Sequence, residues 1–262
     1  MIVANLSGGR DSTAMVIRWL ELGNDLDYIL FCDTGLEFKE MYDYIDKIDS
    51  YIQRNFNKTI TRIDSSKEIE KWAFTIPITK GDKVGKLRGL PMRIGKDYCT
   101  REAKIRPTSR FIKDKCPNKF KVTALIGYTH NEVEKGRVSN LEYAIAKYPL
   151  HEWGWNEKEV SEYLSQKQIM NPLYNHFNRT GCFLCPKQSK ASLFNLYKHY
   201  PQEWQAMKQW EARAKELNCH IQTFKEKPLN AIELEFKQAL QQGELFPQEQ
   251  AYTDQDTCFC SR

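Results

Sequence analysis

The chain has 262 residues, of which 41% are hydrophobic and 28% are charged, as is ordinary for a soluble globular protein. This length is sufficient for one large domain, or for one domain with a small appendage. No apolar run approaches the roughly 18 residues that a membrane span needs, and we expect no signal peptide because Arg10 and Asp11 interrupt the first apolar run. We therefore expect a cytoplasmic protein without a membrane partner.

Net charge and cysteine content narrow the expected chemistry. A formal net charge of +5 permits nucleic acid or another phosphate-rich partner but does not require one. Eight cysteines in a chain without an export signal favour metal ligands or catalytic thiols over disulfides.

The N-terminal stretch predicts an anion-binding turn. Residues 2–6 are apolar and partly β-branched, as in a short buried strand, and residues 14–20 have helical periodicity. Between them lie Ser7, Gly8, Gly9, Arg10, Asp11, Ser12 and Thr13. In such a strand–turn–helix unit, backbone N–H groups and the helix dipole favour an anion, glycines allow its close approach, and Arg, Ser and Thr side chains add donors. A simple glycine turn capped by Asp11 is the structural alternative.

The motif Ser7-Gly8-Gly9-Arg10-Asp11-Ser12 resembles the PP-loop, S-G-G-x-D-S, of the N-type ATP pyrophosphatases and adenine nucleotide alpha hydrolases. It has neither the spacing of a Walker A motif nor that of the dinucleotide fingerprint. The resemblance implies that residues 7–13 bind an adenine nucleotide, ATP with Mg²⁺, which these enzymes split between its α- and β-phosphates.

A second motif follows the next predicted strand. Residues 28–32 are apolar and a helical pattern follows, so strand and helix alternate as in a parallel sheet, whose ligands lie at the carboxyl ends of the strands. The segment from Asp33 through Gly35 to Phe38 resembles the D-T-G-x-x-F/Y segment of the phosphoadenylyl-sulfate (PAPS) reductase family. We predict that Asp33 and Gly35 contribute to the nucleotide site, with Asp33 holding Mg²⁺ or contacting ribose or phosphate. Capping of the following helix is the alternative role of Asp33.

The segment Cys99 to Pro107 resembles the C-T-x-x-x-K-x-x-P segment of the same family, in which the lysine, here Lys104, approaches phosphate. A thiol near a helix start and beside Arg101 and Lys104 has its thiolate favoured by charge and dipole. We therefore predict Cys99 as a nucleophile or sulfur carrier. A metal ligand and a buried small side chain are the alternatives.

A further strand predicted at residues 122–127 leads into a loop similar to the family's G-x-R-x-x-E-S-x-x-R loop. The resemblance implies that Gly127 packs against adenine and that Glu132 and Arg137 face phosphates. Tyr128-Thr129 replaces the usual Ile-Arg, and Val133 the usual Ser, which leaves the phosphorylated substrate open.

Between these motifs, residues 73–97 contain four glycines, two prolines and many lysines and arginines. This composition is typical of a basic hairpin or flap over the site, and equally of a solvated loop.

Two cysteine pairs could hold a metal. Cys182 and Cys185 form a C-x-x-C knuckle, and Cys258 and Cys260 form a close pair near the C-terminus. Together they supply four thiolates, enough for Zn²⁺ or for a 4Fe–4S cluster, and spacing does not choose between these. Further candidate ligands are Cys99, Cys116 and Cys219. The alternatives are core thiols or a redox dithiol for the first pair and a frayed tail for the second.

These observations predict an α/β fold, a doubly wound and mainly parallel sheet of the adenine nucleotide alpha hydrolase type. The predicted domains are a nucleotide-binding domain at 1–178 and a cysteine-bearing helical C-terminal region at 179–262. The G-C-x-x-C-P motif at 181–186 also occurs in phage-encoded and DNA-phosphorothioation members of the PAPS reductase-like branch. Assimilatory reductases instead end in E-C-G-x-H or carry adjacent cysteines, and this sequence has neither.

Three functions follow from the resemblance. The first is an ATP-dependent enzyme that activates an acceptor for sulfur transfer, with DNA or tRNA as the nucleic-acid partner, a cysteine desulfurase as donor, and a homodimer as a further option. The second is a phosphoadenylyl- or adenylyl-sulfate reductase. The third is a non-catalytic nucleotide-sensing or DNA-binding module.

Overall fold

A five-stranded parallel sheet lies at the centre of the molecule. Its strands are β1 Ile2–Asn5, β2 Tyr28–Asp33, β3 Ile60–Asp64, β4 Thr123–Leu125 and β5 Ile145–Lys147. Their order is β3-β2-β1-β4-β5, and every neighbouring pair is parallel. Because the direction of the strand order reverses between β1 and β4, the sheet is doubly wound and opens a crevice there. The predicted α/β fold is thus confirmed.

The computed structural model describes residues 1–91 and 98–242. Its α-helices are α1 Arg10–Glu21, α2 Lys39–Phe56, α3 Glu68–Phe74, α4 Tyr98–Thr100, α5 Arg106–Lys115, α6 His130–Glu134, α7 Pro149–Glu152, α8 Glu157–Gln166, α9 Lys190–His199, α10 Pro201–Glu216 and α11 Leu229–Gln241. A π-helical turn, Arg101–Ile105, joins α4 to α5. Across the two described ranges, no helix is both long and apolar enough to cross a membrane.

Alternation along β1 gives the sheet two apolar faces. Val3 and Ala4 are both fully buried, and as neighbours in a strand they point to opposite faces. Ala4 joins the larger buried cluster, which includes Met15 of α1 and Ile45 of α2. Val3 joins a smaller cluster with Ile112 of α5. Helices therefore cover both faces, so the strands read as continuous apolar runs.

Capping residues fix the starts of two helices beside the crevice. At α6 the Glu132 carboxylate accepts a hydrogen bond from Thr129 N, and at α8 Asn156 and Glu159, three residues apart, form a capping box. These bonds satisfy N–H groups that a helix start leaves unpaired. The positions of α6 and α8 are thereby set by local sequence.

The C-terminal helices pack through aromatic rings. Tyr197 of α9 and Trp204 of α10 contact Phe236 of α11, with ring centroids 5.7 and 6.0 Å from it. The same buried cluster that contains Ala4 extends to Phe236. The C-terminal helices therefore share a core with the sheet, and the domain boundary after residue 178 stays a prediction.

The described part of the basic segment, residues 73–91, contains a short hairpin closed by an antiparallel bridge between Pro77 and Leu87. At its base Gly89, with φ +77°, pairs in parallel with Ile221 of the C-terminal region. A Cβ on Gly89 would lie 2.0 Å from the Ile221 carbonyl oxygen, so this contact requires glycine. The remaining six residues of the predicted segment lie outside the described ranges.

Candidate functional site

A cavity of about 300 Å³ opens at the carboxyl ends of β1, β2 and β4. Its lining includes the predicted site residues Ser7, Gly9, Arg10, Asp11, Ser12, Lys104, Gly127, Glu132, Arg137, Cys182 and Cys185. Gly8, Thr13, Asp33, Gly35 and Cys99 are outside this lining, and Cys258 and Cys260 are outside the described residues. The cavity thus brings the nucleotide motif and the C-x-x-C pair to one space.

The turn after β1 is held by its own hydroxyl groups. Ser12 Oγ accepts a hydrogen bond from Ser7 N at 3.1 Å and donates one to the Gly9 carbonyl oxygen, also at 3.1 Å. Gly8 has φ +77°, which a side chain rarely adopts. Buried Asn171 donates from Nδ2 to the Gly8 carbonyl oxygen at 2.9 Å. These bonds fix the turn before any ligand binds.

Tyr174 braces the same turn from outside it. Its Oη accepts a hydrogen bond from Arg10 N at 3.0 Å, and the Arg10 guanidinium lies 5.3 Å from the centre of its ring. Arg10 Nε is 3.6 Å from Asp11 Oδ1. Arg10 is therefore oriented along the cavity wall.

Removing this brace should weaken nucleotide binding. We expect Tyr174→Phe to raise the Kd for ATP by about 3- to 10-fold, because one net hydrogen bond contributes about 0.5–1.5 kcal/mol. Tyr163→Phe is the matched control, since its hydroxyl bonds Glu21 away from the cavity. Calorimetric titration with ATP measures both, and equal Kd values for the two variants would refute the role of Tyr174.

Asp11 is held partly protonated at neutral pH. Its Oδ1 is shielded from solvent and accepts no hydrogen bond from the described residues. Burial raises its pKa to about 7, against a smaller opposing effect of Arg10 and with a further contribution from Glu132. A neutral Asp11 leaves the turn more favourable for an anion.

This pKa predicts how stability depends on pH. The pKa of Asp11 rises from 3.8 to about 7 on folding, so its stabilisation is complete below pH 3.8 and is lost as pH rises through 7. Between pH 5 and pH 8, the wild type should therefore lose more free energy of unfolding than Asp11→Asn does. Urea unfolding at both pH values measures this difference, with Asp114→Asn as an exposed control. Parallel losses in wild type and Asp11→Asn would refute the prediction.

Glu132 and Arg137 form an ion pair at the opposite wall. Arg137 donates to Glu132 Oε1, and its guanidinium lies 4.0 Å above the ring of Tyr128. Glu132 Oε2 also accepts from Thr129 N at 3.0 Å. Arg137 is thus fixed where a phosphate could meet it.

The thiol side of the cavity is built by a tight turn. Cys185 N donates to the Cys182 carbonyl oxygen at 3.1 Å, which brings the two side chains together. A hydrogen bond from the Cys182 thiol and the nearby Arg179 guanidinium outweigh burial and lower the pKa of Cys185 to about 6. Arg179 donates to Cys185 Sγ at 3.4 Å. The same bond and burial raise the pKa of Cys182. Cys185 is therefore the more acidic of the two thiols, and its thiolate is the form that the surroundings favour.

Lys104 carries a positive charge beside these thiols. Burial lowers its pKa, but Glu37 and the cysteines Cys182, Cys99 and Cys185 outweigh burial, and the net pKa is raised. Its Nζ lies 3.8 Å from Oε1 of buried Glu37, whose own pKa burial raises. Lys104 therefore favours negative charge on the thiol side of the cavity.

Asp33 and Gly35 form a turn behind the cavity. Asp33 Oδ1 accepts hydrogen bonds from Gly35 N and from Tyr42 Oη, both at 2.8 Å. Gly35 has φ +71°, and a Cβ there would lie 2.8 Å from Ser66 Cβ. Helix α2 starts instead at Phe38, its N-cap. Asp33 thus orders this turn, and its contact with Mg²⁺ or nucleotide stays a prediction.

The sequence of residues 1–188 matches the family model of the phosphoadenosine phosphosulfate reductase domain. The chain belongs to this family. It is 28% identical over 222 residues to the uncharacterized protein MJ0066 of Methanocaldococcus jannaschii, an alignment that covers 80% of this chain and 40% of that protein. It is 26% identical over 215 residues to MJ0973 of the same organism, covering 77% and 45%. This PAPS reductase-family chain therefore spans less than half the length of either archaeal relative.

Further similarities are more distant. An uncharacterized 37.8 kDa protein of Escherichia phage 186 is 24% identical over 254 residues, covering 80% of this chain and 74% of the phage protein. Among solved structures, a PAPS reductase from Candida auris in complex with phosphate has a TM-score of 0.46 at 16% identity, over 69% of this chain and 80% of that one. The U34-tRNA thiolase NcsA from Methanococcus maripaludis with its [4Fe-4S] cluster has a TM-score of 0.40 at 12% identity, over 84% and 72%.

Several residues in or beside the site of this family member belong to no motif from which the sequence predicts a role. Asn171, Tyr174 and Arg179 follow the last strand by more than twenty residues and join the site through tertiary packing. The only local signal is Asn171-Pro172, a dipeptide typical of a turn. Buried Glu37 lies inside the motif that begins at Asp33, where its burial was not evident.

The described residues supply two of the four thiolates predicted for a metal. Within 1–91 and 98–242, no three possible ligand atoms that lie within 4.8 Å of one another include Cys182 or Cys185. A tetrahedral zinc site needs four ligands, and a 4Fe–4S cluster is held by four cysteines. The described part of the chain therefore does not complete either site, and the other two predicted ligands lie beyond it.

Proposed function

We propose that this PAPS reductase-family chain is an ATP-dependent enzyme that adenylates an acceptor oxygen and then replaces that oxygen by sulfur. The observation that carries the proposal is that one cavity is lined both by Ser7 and residues 9–12 of the nucleotide motif and by Cys182 and Cys185. A module that only senses nucleotide has no use for a thiolate opposite its phosphate-binding turn. An activated acceptor and a sulfur nucleophile, by contrast, must meet in one place.

The nucleotide half of the proposal rests on the turn after β1. Backbone N–H groups at the start of α1, the Ser7 hydroxyl and the Arg10 guanidinium supply donors for the phosphates of ATP. Arg137 and Lys104 offset the charge that develops as pyrophosphate leaves. Mg²⁺, when bound, would neutralise phosphate charge, and the Glu132 carboxylate and Asp11, once Asp11 has lost its proton, are the acidic groups of the cavity wall that could hold it.

The sulfur-transfer half of the proposal rests on the difference in acidity between Cys182 and Cys185. In the first step the acceptor oxygen attacks the α-phosphorus, and pyrophosphate leaves. A persulfide on Cys185, loaded by a donor such as a cysteine desulfurase, then attacks the activated atom, and AMP leaves. The Cys182 thiol then attacks Cys185 Sγ as its proton passes to the leaving sulfur of the acceptor, which releases the thiolated acceptor and leaves a disulfide. An external thiol reductant supplies the two electrons that restore both thiols.

Metal content distinguishes Cys185 as the sulfur carrier from Cys99 as the sulfur carrier. If Cys182 and Cys185 are metal ligands, as the sequence predicts, then Cys99 beside Lys104 is the sulfur carrier. About one zinc, or about four irons with matching sulfide, per anaerobically purified chain would support the metal role. Absence of both metals would support the thiols as carriers.

The acceptor class is proposed from charge. The described hairpin presents Lys80, Lys83 and Lys86 to solvent, and these suit a polyanion. DNA and tRNA are the two acceptors to be tested. The oligomeric state is a separate proposal, a homodimer, which light scattering tests.

The test combines both half-reactions. The full chain is incubated with α-labelled ATP, Mg²⁺, a desulfurase with ³⁵S-cysteine, and either tRNA or DNA. The proposal predicts AMP and pyrophosphate in equal amounts and ³⁵S in one nucleic acid. Tightly bound ATP that is not turned over with either acceptor would favour the nucleotide-sensing or DNA-binding module instead.

A reductase is the second candidate, because a thiolate of low pKa can also attack the sulfur of an adenylyl sulfate. That attack would place a sulfonate on Cys185 and release the adenosine phosphate, and Cys182 would then displace sulfite and leave a disulfide. Thiol-dependent sulfite release from phosphoadenylyl or adenylyl sulfate tests it, and failure with both substrates would exclude it.

A further inference from the structure

Three metal-binding side chains lie together outside the cavity. His130 and Glu134 are one helical turn apart on α6, so they share a face, and His151 on α7 approaches that face. Glu132, two residues from each, lines the cavity from the opposite face of α6. The cluster is therefore separate from the nucleotide and thiol site.

The donor atoms of this cluster are close enough for one ion. One possible ligand atom from each of the three residues lies within 4.8 Å of the other two. His151 Nδ1 is 3.8 Å from Glu134 Oε1, which is too long for a hydrogen bond. Two metal bonds of about 2.0–2.2 Å each span up to about 4.3 Å, so a single ion can bridge this gap.

His151 Nδ1 also lacks another partner. It is shielded from solvent and makes no hydrogen bond to the described residues. A buried ring nitrogen without a partner is costly, and an ion would satisfy it. This observation is independent of the carboxylate and points to a ligand.

His130 is arranged as metal-binding histidines usually are. Its Nδ1 lies 3.2 Å from the His151 carbonyl oxygen, and a hydrogen bond there orients the ring and leaves Nε2 available as a ligand. The two rings stack at 4.9 Å with 14° between their planes. Because metal bonds lie in the ring plane, binding requires at least one ring to turn.

We propose that His130, Glu134 and His151 bind a divalent transition-metal ion of the zinc class, with water completing the coordination. Two imidazoles and one carboxylate suit Zn²⁺, Co²⁺ or Ni²⁺ and disfavour Ca²⁺. The ion ties α6 to α7. This metal-site proposal does not depend on the proposed function of the cavity.

The test uses Co²⁺ as the probe and the untagged full chain after removal of metals. Because Cys182, Cys185, Cys258 and Cys260 could also bind Co²⁺, all four are first replaced by serine in every protein compared. Calorimetry and visible absorbance should show one Co²⁺ bound without a sulfur-to-cobalt band. His151→Gln and Glu134→Gln should each weaken this binding more than about a hundredfold, a larger loss than the roughly 10- to 100-fold that removing an outer-shell partner costs.

Matched controls keep the test decisive. His176 stacks on His199, and Glu152 lies on α7 and pairs with Lys147, so neither residue belongs to the proposed site. The variants His176→Gln and Glu152→Gln should therefore retain the Co²⁺ affinity. Circular dichroism without metal checks that each variant is folded. Unchanged Co²⁺ binding in His151→Gln, or the absence of a sulfur-free Co²⁺ site, would overturn the proposal.

Discussion

Cys185→Ser is expected to lower sulfur transfer by at least about a thousandfold while ATP binding stays within about threefold of wild type. Cys185 is the thiol of the pair whose pKa is lowered, which favours the thiolate, the nucleophilic form of cysteine. Serine keeps the size of the side chain but has no comparable nucleophile. The measurement is ³⁵S carried by each chain, and then passed to the acceptor, after incubation with a desulfurase.

Two further variants make this result specific. Cys182→Ser should load sulfur but fail to release the product, because it removes the thiol that resolves the intermediate. Cys116→Ser, a half-buried thiol outside the cavity, is the matched control. Full sulfur loading in Cys185→Ser would return the carrier role to Cys99.

Gly127→Ala is expected to weaken ATP binding at least tenfold and to destabilise the fold by about 1–3 kcal/mol. A Cβ at Gly127 would lie 2.9 Å from both the Cα and the N of Ser12, closer than real Cβ atoms approach other atoms. The obstacle is backbone, so no side-chain rotation relieves it. The loop after β4 must therefore move away from the start of α1, which separates the two walls of the nucleotide site.

Gly181→Ala is the control for this substitution. Gly181 lines the same cavity, and a Cβ there meets no atom within 4 Å. It should leave stability within about 0.5 kcal/mol of wild type, as surface substitutions usually do. Urea unfolding and ATP titration measure both variants. A Gly127→Ala chain that binds ATP like Gly181→Ala would contradict the close packing of β4 against α1.

Local sequence signals predicted the parts of the fold that depend on neighbours in the chain. The turn at residues 7–13 is a strand, two glycines and a helix start in sequence, and the structure places them in that arrangement. The capping box at Asn156 and Glu159 is likewise a short-range pattern. The doubly wound sheet followed from the alternation of strands and helices, together with the resemblance to a family.

The features of the site that the sequence did not predict depend on contacts between residues far apart in the chain. Tyr174 braces Arg10 from 164 positions away, and no local pattern marks such a contact. The metal prediction rests on the spacing of two cysteine motifs and stays a prediction. The structure adds that Cys182 and Cys185 share a cavity with Lys104 and the nucleotide turn, which spacing did not indicate. The lowered pKa of Cys185 comes from the hydrogen bond with Cys182 and from the nearby Arg179 guanidinium, neither of which spacing alone can reveal.

The most direct test of a shared cavity is whether ATP protects its thiols. Wild-type chain is treated briefly with iodoacetamide at neutral pH, with and without saturating ATP and Mg²⁺, and each cysteine peptide is quantified by mass spectrometry. We predict that ATP slows modification of Cys185 at least tenfold and leaves Cys116 unchanged. Equal modification of Cys185 with and without bound ATP would contradict the account, because the nucleotide and the thiolate would then not share one cavity.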